Sequence, residues 1–224
     1  MKKNLTELVF IVDRSGSMAG LESDTIGGLN ATLQKNREVE GDCTVSIVLF
    51  DTTNDVIVNR QPIEKVGNLT TRQYQVGGCT ALLDAVGDSI RYMTKVQQIL
   101  PEDYRAEHVM FAIITDGLEN ASRRHSYSEV KRLIEARQEM GWEFLFLGAN
   151  IDAAKEAGRM GIRADRASQY VSDGEGSAIA YEAVAQAQTS MRTCGKVKQS
   201  WNAAPMADAA ARGGGSKGLK FWQR

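Results

Sequence analysis

The sequence predicts a doubly wound α/β fold, with a mostly parallel sheet covered by helices on both faces. Three observations predict it. Four short segments are almost continuously apolar instead of alternating, as strands buried on both faces must be. Amphipathic stretches with helical spacing separate them. The chain has 224 residues, of which 42% are hydrophobic and 25% charged, enough for one generous domain or one domain plus a tail.

The buried strands are expected at residues 8–12, 45–50, 109–114 and 142–147. A fifth, 55–59, follows the second after only Asp51–Thr52–Thr53–Asn54, a link suited to a hairpin, so it is expected to run antiparallel at an edge. A sixth, 167–171, is the expected opposite edge. Between them, Ile26, Leu29 and Leu33 define one helical face, and Leu82, Val86, Ile90 and Met93 a second. Val130, Leu133 and Ile134 define a third, opened by a capping box of Ser126 and Glu129 and stopped at Gly141. Residues 152–160 and 177–191 complete the helices. The expected folded domain is 1–192. Residues 193–224 are expected to form a flexible Gly/Ala-rich tail, with six basic residues against the single acid Asp208.

Composition removes several function classes. A net charge of −1 gives no global pull toward DNA or anionic membrane. No run of eighteen apolar residues predicts a membrane span, and Glu7 and Asp13 bracket the N-terminal apolar run, which argues against a secretory signal. Three cysteines are too few and too odd in number for a disulfide framework, so a reducing cytoplasm is the expected setting. With two histidines, any metal would be held by oxygen.

The chemistry concentrates at strand ends. The first strand runs into Asp13-Arg14-Ser15-Gly16-Ser17, and the fourth into Thr115-Asp116-Gly117. In open α/β sheets, ligands bind beyond the carboxyl ends of the strands, where strand order reverses. The loop Gly77-Gly78-Cys79-Thr80 opens the helix before the fourth strand and brings a hydroxyl to the same crevice. Two acids converging there repel each other, and a divalent cation removes that cost. Hydroxyl and carboxylate oxygens are hard ligands, which favours Mg²⁺ or Mn²⁺ over Zn²⁺. An acidic side chain from a partner protein is the natural donor for the remaining coordination position. Asp-x-Ser-x-Ser alone reads as a helix cap or polar turn; Thr80 and Asp116 turn the reading toward a metal site.

Asp13-x-Ser15-x-Ser17, Thr80 after two glycines, and Asp116 in Thr-Asp-Gly together resemble the metal-ion-dependent adhesion site of von Willebrand factor type A domains. The resemblance covers about residues 5–191, and the chain looks like a small stand-alone bacterial member. It implies a six-stranded sheet and metal-dependent protein binding without catalysis. It also implies that Ser15 and Ser17 bind the metal directly, Thr80 in the ligand-competent state, and Asp13 and Asp116 partly through water. Work beside ATPases or stress-response machinery is a further implication.

Two other functions compete. One is a Mg²⁺-dependent hydrolase or phosphotransfer enzyme, but Ser15 stands where an aspartyl-nucleophile phosphatase needs a second Asp, and no Gly-x-x-x-x-Gly-Lys loop exists. The other is a scaffold whose basic tail, ending Lys220-Phe221-Trp222-Gln223-Arg224, contacts RNA or an acidic partner. Asp84, one turn after Thr80, is either an acceptor for a metal-bound water or a solvent-facing acid of the first turn. Asp51 is expected in a turn, Glu119, Asn120, Arg123 and Arg124 in a solvated rim loop, and Asp152 at a helix cap. Cys79 is expected to be a buried filler, His108 and His125 surface residues, and Trp142 and Trp201 packing residues.

Overall fold

The computed structural model describes residues 1–212. Its six strands are β1 (Lys2–Asp13), β2 (Cys43–Phe50), β3 (Asn54–Pro62), β4 (Ala106–Thr115), β5 (Glu143–Ala149) and β6 (Ala167–Tyr170). They form one sheet in the order β3-β2-β1-β4-β5-β6. All pairs are parallel except β2–β3. The order reverses between β1 and β4, which fixes where a ligand crevice opens.

Six α-helices cover the sheet: α1 (Glu22–Arg37), α2 (Leu82–Ile99), α3 (Tyr127–Gln138), α4 (Ala153–Arg159), α5 (Gly174–Cys194) and α6 (Ala203–Arg212). Successive residues of β1 feed opposite cores, as the two-residue period of a strand requires. Leu8, Phe10 and Val12 pack with Leu29 and Leu33 of α1 and Val184 and Met191 of α5. Val9 and Ile11 pack with Val86 and Ile90 of α2, Ile134 of α3 and Ala157 of α4. At roughly 25 cal/mol per Å² of buried apolar surface, these two layers are the main term holding the sheet. The capping box at Ser126 and Glu129 is present, and Asp152 caps α4 through the Lys155 amide.

The fold departs from expectation at its C-terminus. Residues 193–212 are not a loose tail. Trp201, Pro205 and Ala209 are buried, and α6 lies against α5 and β6. The Trp201 indole N–H donates to the Asp165 carbonyl at 2.9 Å, and the Asn202 amide donates to the Ala167 carbonyl at 2.7 Å. The Arg212 guanidinium reaches Asp173 at 2.6 Å. The rest of the expected tail, including the terminal basic-aromatic run, lies outside the described residues.

Candidate functional site

Asp13 ends β1 and is fully buried. Its Oδ1 accepts from the Ser15 amide at 2.7 Å, and its Oδ2 accepts from the Thr115 hydroxyl at 2.5 Å. The second bond follows from register: Val12 pairs with Ile114, which sets Asp13 beside Thr115. The Tyr74 hydroxyl donates to the Asp13 carbonyl at 2.5 Å. Each of these contacts fixes the end of β1 before any ligand arrives.

Ser15 precedes a 3₁₀ turn (Gly16–Met18) but its side chain makes no capping bond. Its hydroxyl instead lies 3.0 Å from that of Ser17 and accepts from that of Thr80 at 3.1 Å. The helix-cap reading of Asp-x-Ser-x-Ser is therefore wrong for Ser15. The Gly16 amide donates to the Gly78 carbonyl at 3.1 Å, and the Gly77 amide to the Arg14 carbonyl at 2.9 Å, so the first and second loops are stitched together. Gly78 has φ +73°, a conformation that suits glycine. A side chain there would also strike Thr52 at 2.8 Å.

The third loop closes on the other two. A Cβ at Gly117 would lie 3.1 Å from the Ser17 hydroxyl and 3.3 Å from that of Thr80. Asp116, just before it, is buried, and its Oδ1 has no hydrogen-bond partner. Burial raises the Asp116 carboxyl to about 6; the Ser17 hydroxyl pulls it back and the Asp13 charge raises it. Asp13 is also raised, chiefly by burial, with the Thr115 and Ser15 hydrogen bonds opposing. Asp13, Ser15, Ser17, Thr80 and Asp116 are thus brought to one place.

A hard divalent cation fits these residues. The donors are all oxygen, two buried carboxylates carry a raised cost for their charge, and one carboxylate oxygen is unpaired. Among the described residues no group of three or more His, Cys, Asp or Glu is placed to hold a metal, so a cation at this place would need the serine and threonine hydroxyls as ligands.

Several neighbours differ from expectation. Asp84 is buried, neither solvated nor turned toward the hydroxyl cluster; its carboxylate accepts the amides of Arg123, Arg124 and His125 at 3.0, 2.8 and 2.9 Å. These bonds hold its carboxyl below the usual range against the raising effect of burial. Glu119 is not a free rim acid. It accepts from the amides of Leu83, Ala121 and Ser122 and from the Ser122 hydroxyl. Asn120 accepts from the Thr80 amide at 2.9 Å. Asp51 does sit in a turn, and it also pairs with Arg14 at 2.9 Å. Cys79 is exposed, not a buried filler, and its amide donates to the Thr52 hydroxyl at 2.9 Å. His125 is buried, with Nε2 3.0 Å from Asp88, in space left by Gly87. His108 is half-buried beside Gly195. Trp142 and Trp201 are buried packing residues.

No family model and no curated protein matches the sequence. Solved structures do match in fold. Proximal thread matrix protein 1 from the mussel byssus, with a zinc-occupied MIDAS motif, aligns at TM-score 0.55 and 13% identity over 82% of this chain and 46% of its own. A von Willebrand factor type A protein from Catenulispora acidiphila aligns at TM-score 0.53 and 14% identity over 82% and 42%. The PilB minor pilin of Streptococcus sanguinis, as its D319A mutant, aligns at 0.54 and 15% over 84% and 62%. The chain spans between 42% and 62% of the length of these structures. No helix of the described residues is long and apolar enough to cross a membrane. With the strand order, the single antiparallel edge and these alignments, the chain has the von Willebrand factor type A fold.

Proposed function

We propose that the chain is a non-catalytic, divalent-metal-dependent protein-binding module. Asp13, Ser15, Ser17, Thr80 and Asp116 would hold Mg²⁺ or Mn²⁺, and the captured group is an acidic side chain of a partner protein. The observation that carries this reading is the buried Asp116 carboxylate with one oxygen unpaired, followed by Gly117, which lies against the Ser17 and Thr80 hydroxyls that converge with Ser15. The bound ion would supply a positive anchor for a carboxylate oxygen. The chain's own residues supply the rest. Asp13 holds the Ser15 amide, which sets the turn that aims the Ser15 and Ser17 hydroxyls. Asn120 fixes the backbone of Thr80. The cation of Arg14 is spent on Asp51 and Asp55, so the rim does not offer it to an acidic partner. Unpaired Cys43, Cys79 and Cys194 suit a reducing, cytoplasmic setting.

Calorimetric titration with Mg²⁺ and Mn²⁺, followed by a glutamate-containing peptide probe, tests this. Metal uptake lost in Asp13→Ala and weakened in Thr80→Ala supports the reading. A folded protein that takes up neither ion overturns it.

A further inference from the structure

Thr80 belongs to no helix or strand. It lies between the glycine pair and α2, whose N-cap residue, Ala81, makes no side-chain capping bond. The place of the Thr80 hydroxyl is therefore set from outside its own segment. Three successive amides show how. Those of Cys79 and Ala81 donate to the loop after β2, to the Thr52 hydroxyl and the Asp51 carbonyl, each at 2.9 Å. The Thr80 amide between them donates instead to the loop after β4, to Asn120 Oδ1 at 2.9 Å. The Thr80 carbonyl is taken by that same loop, accepting from the amides of Asn120 at 3.0 Å and Ala121 at 3.2 Å. Both backbone polar groups of Thr80 are thus committed to residues 120–121, while its hydroxyl donates to Ser15 at 3.1 Å.

The turn that presents Asn120 is itself fastened to α2. Glu119 accepts the Ala121 and Ser122 amides through Oε1, at 2.9 and 2.7 Å, and the Leu83 amide through Oε2 at 2.9 Å. The Ser122 hydroxyl accepts the Asp84 amide at 3.0 Å. Two first-turn amides of α2, which have no partner within the helix, are in this way satisfied by the loop that follows Asp116. Among the described residues that hydrogen-bond the Thr80 backbone, Asn120 alone does so through its side chain. That residue is exposed, so truncating it opens no cavity, and it frees one group, the Thr80 amide.

We propose that Asn120 is a positioning residue of the cation site. By holding the Thr80 amide it sets the Thr80 hydroxyl against that of Ser15, and it ties one ligand of the cation to the loop that supplies another, Asp116. The proposal rests on the metal reading above and gives a part in it to a side chain that is not itself a ligand.

The test uses the full chain as wild type, Asn120→Ala, Thr80→Ala and the double variant, each titrated with Mg²⁺ in a calorimeter. A hydroxyl misplaced by the loss of Asn120 matters only where the hydroxyl exists. Asn120→Ala should therefore weaken Mg²⁺ binding about fivefold in the wild-type background and less than about twofold in the Thr80→Ala background. A second readout needs no metal. In EDTA, the Thr80 amide should exchange with solvent about tenfold faster in Asn120→Ala than in wild type, and Asn120→Asp, which keeps the acceptor oxygen, should restore slow exchange. If wild type takes up Mg²⁺ but Asn120→Ala binds it as tightly, loses equally in both backgrounds, or leaves Thr80 exchange unchanged, the role of Asn120 is overturned and the metal reading stands. If folded wild type takes up no Mg²⁺, both fall.

Discussion

Asp116→Asn isolates the charge at the centre of the site. The replacement keeps the shape of the side chain and removes its ionisation. Burial lifts the Asp116 carboxyl from 3.8 to about 6. A carboxyl raised in the folded state contributes stability that is complete below its unfolded value and is lost as pH rises through its folded value. In EDTA, the wild-type chain should therefore lose stability between about pH 4 and pH 6 from this group. The difference of about two pH units, at about 1.4 kcal/mol each, sets a ceiling of about 3 kcal/mol for the cost of its charge at pH 7.5. The neutral amide of the variant does not carry that cost. We expect the variant to be more stable than wild type by about 1–3 kcal/mol at pH 7.5, and no more stable at pH 4. Saturating metal closes or reverses that gap: at one hundred times the dissociation constant, wild type gains about 2.7 kcal/mol and the variant little. The assay is urea unfolding at both pH values, with EDTA and with Mg²⁺. A variant less stable than wild type in EDTA at pH 7.5, or one stabilised by Mg²⁺ as much as wild type, would refute the argument.

Four further outcomes are expected. Glu7 is fully buried on β1 and its partner is Arg60 at 2.9 Å, so Arg60→Ala should cost about 3–5 kcal/mol in urea unfolding. Adding Glu7→Gln should recover most of that loss, since it removes the stranded charge. Gly87→Ala would set a Cβ 2.6 Å from the His125 ring and should cost about 1–3 kcal/mol; a double variant with His125→Ala should show a smaller penalty for the alanine at 87. Asp84→Asn removes the charge that gathers three amides and should loosen the 123–125 loop, read as faster amide exchange there, while α2 stays protected. Metal affinity should fall as pH drops below about 6, because protons compete for Asp116; titrations at pH 5 and pH 7.5 check the sign.

Much of this architecture was legible in the residues. The four apolar runs became β1, β2, β4 and β5, and the short link at residues 51–54 did produce an antiparallel edge. The runs mark only the doubly buried part of each strand, however. β1 starts at Lys2, in exposed polar residues held by pairing with β4, for which periodicity has no signal. The fold of residues 199–212 had a signal that low complexity masked: Trp201, Pro205 and Ala209 recur every fourth residue, and all three are buried. His125 was illegible for a different reason. The space it fills is made by Gly87, 38 positions earlier and on another element, so no local pattern marks it. The loop that carries the exposed Cys79 is held likewise by a hydrogen bond to the distant Thr52.

The acids around the centre explain why the site holds its shape. Asp51 is spent on Arg14 and on the amide and hydroxyl of Thr53, Glu119 on three amides and a hydroxyl, and Asp84 on three amides. Each ties two loops or a loop and a helix, and each is a carboxylate whose bonds to N–H groups stabilise its charge. Asp13 is largely spent too, on the Ser15 amide and the Thr115 hydroxyl. Asp116 differs, with one oxygen buried and unpaired. The loops are thus positioned by acids that are already satisfied, and the unpaired oxygen belongs to Asp116, on the loop that closes against the Ser17 and Thr80 hydroxyls. Rearrangement of the loops is not needed to create that demand for a cation. A cation bound there would remove the charge penalty of Asp116 while the backbone bonds from Gly16 to Gly78 and from Gly77 to Arg14 keep the loops together.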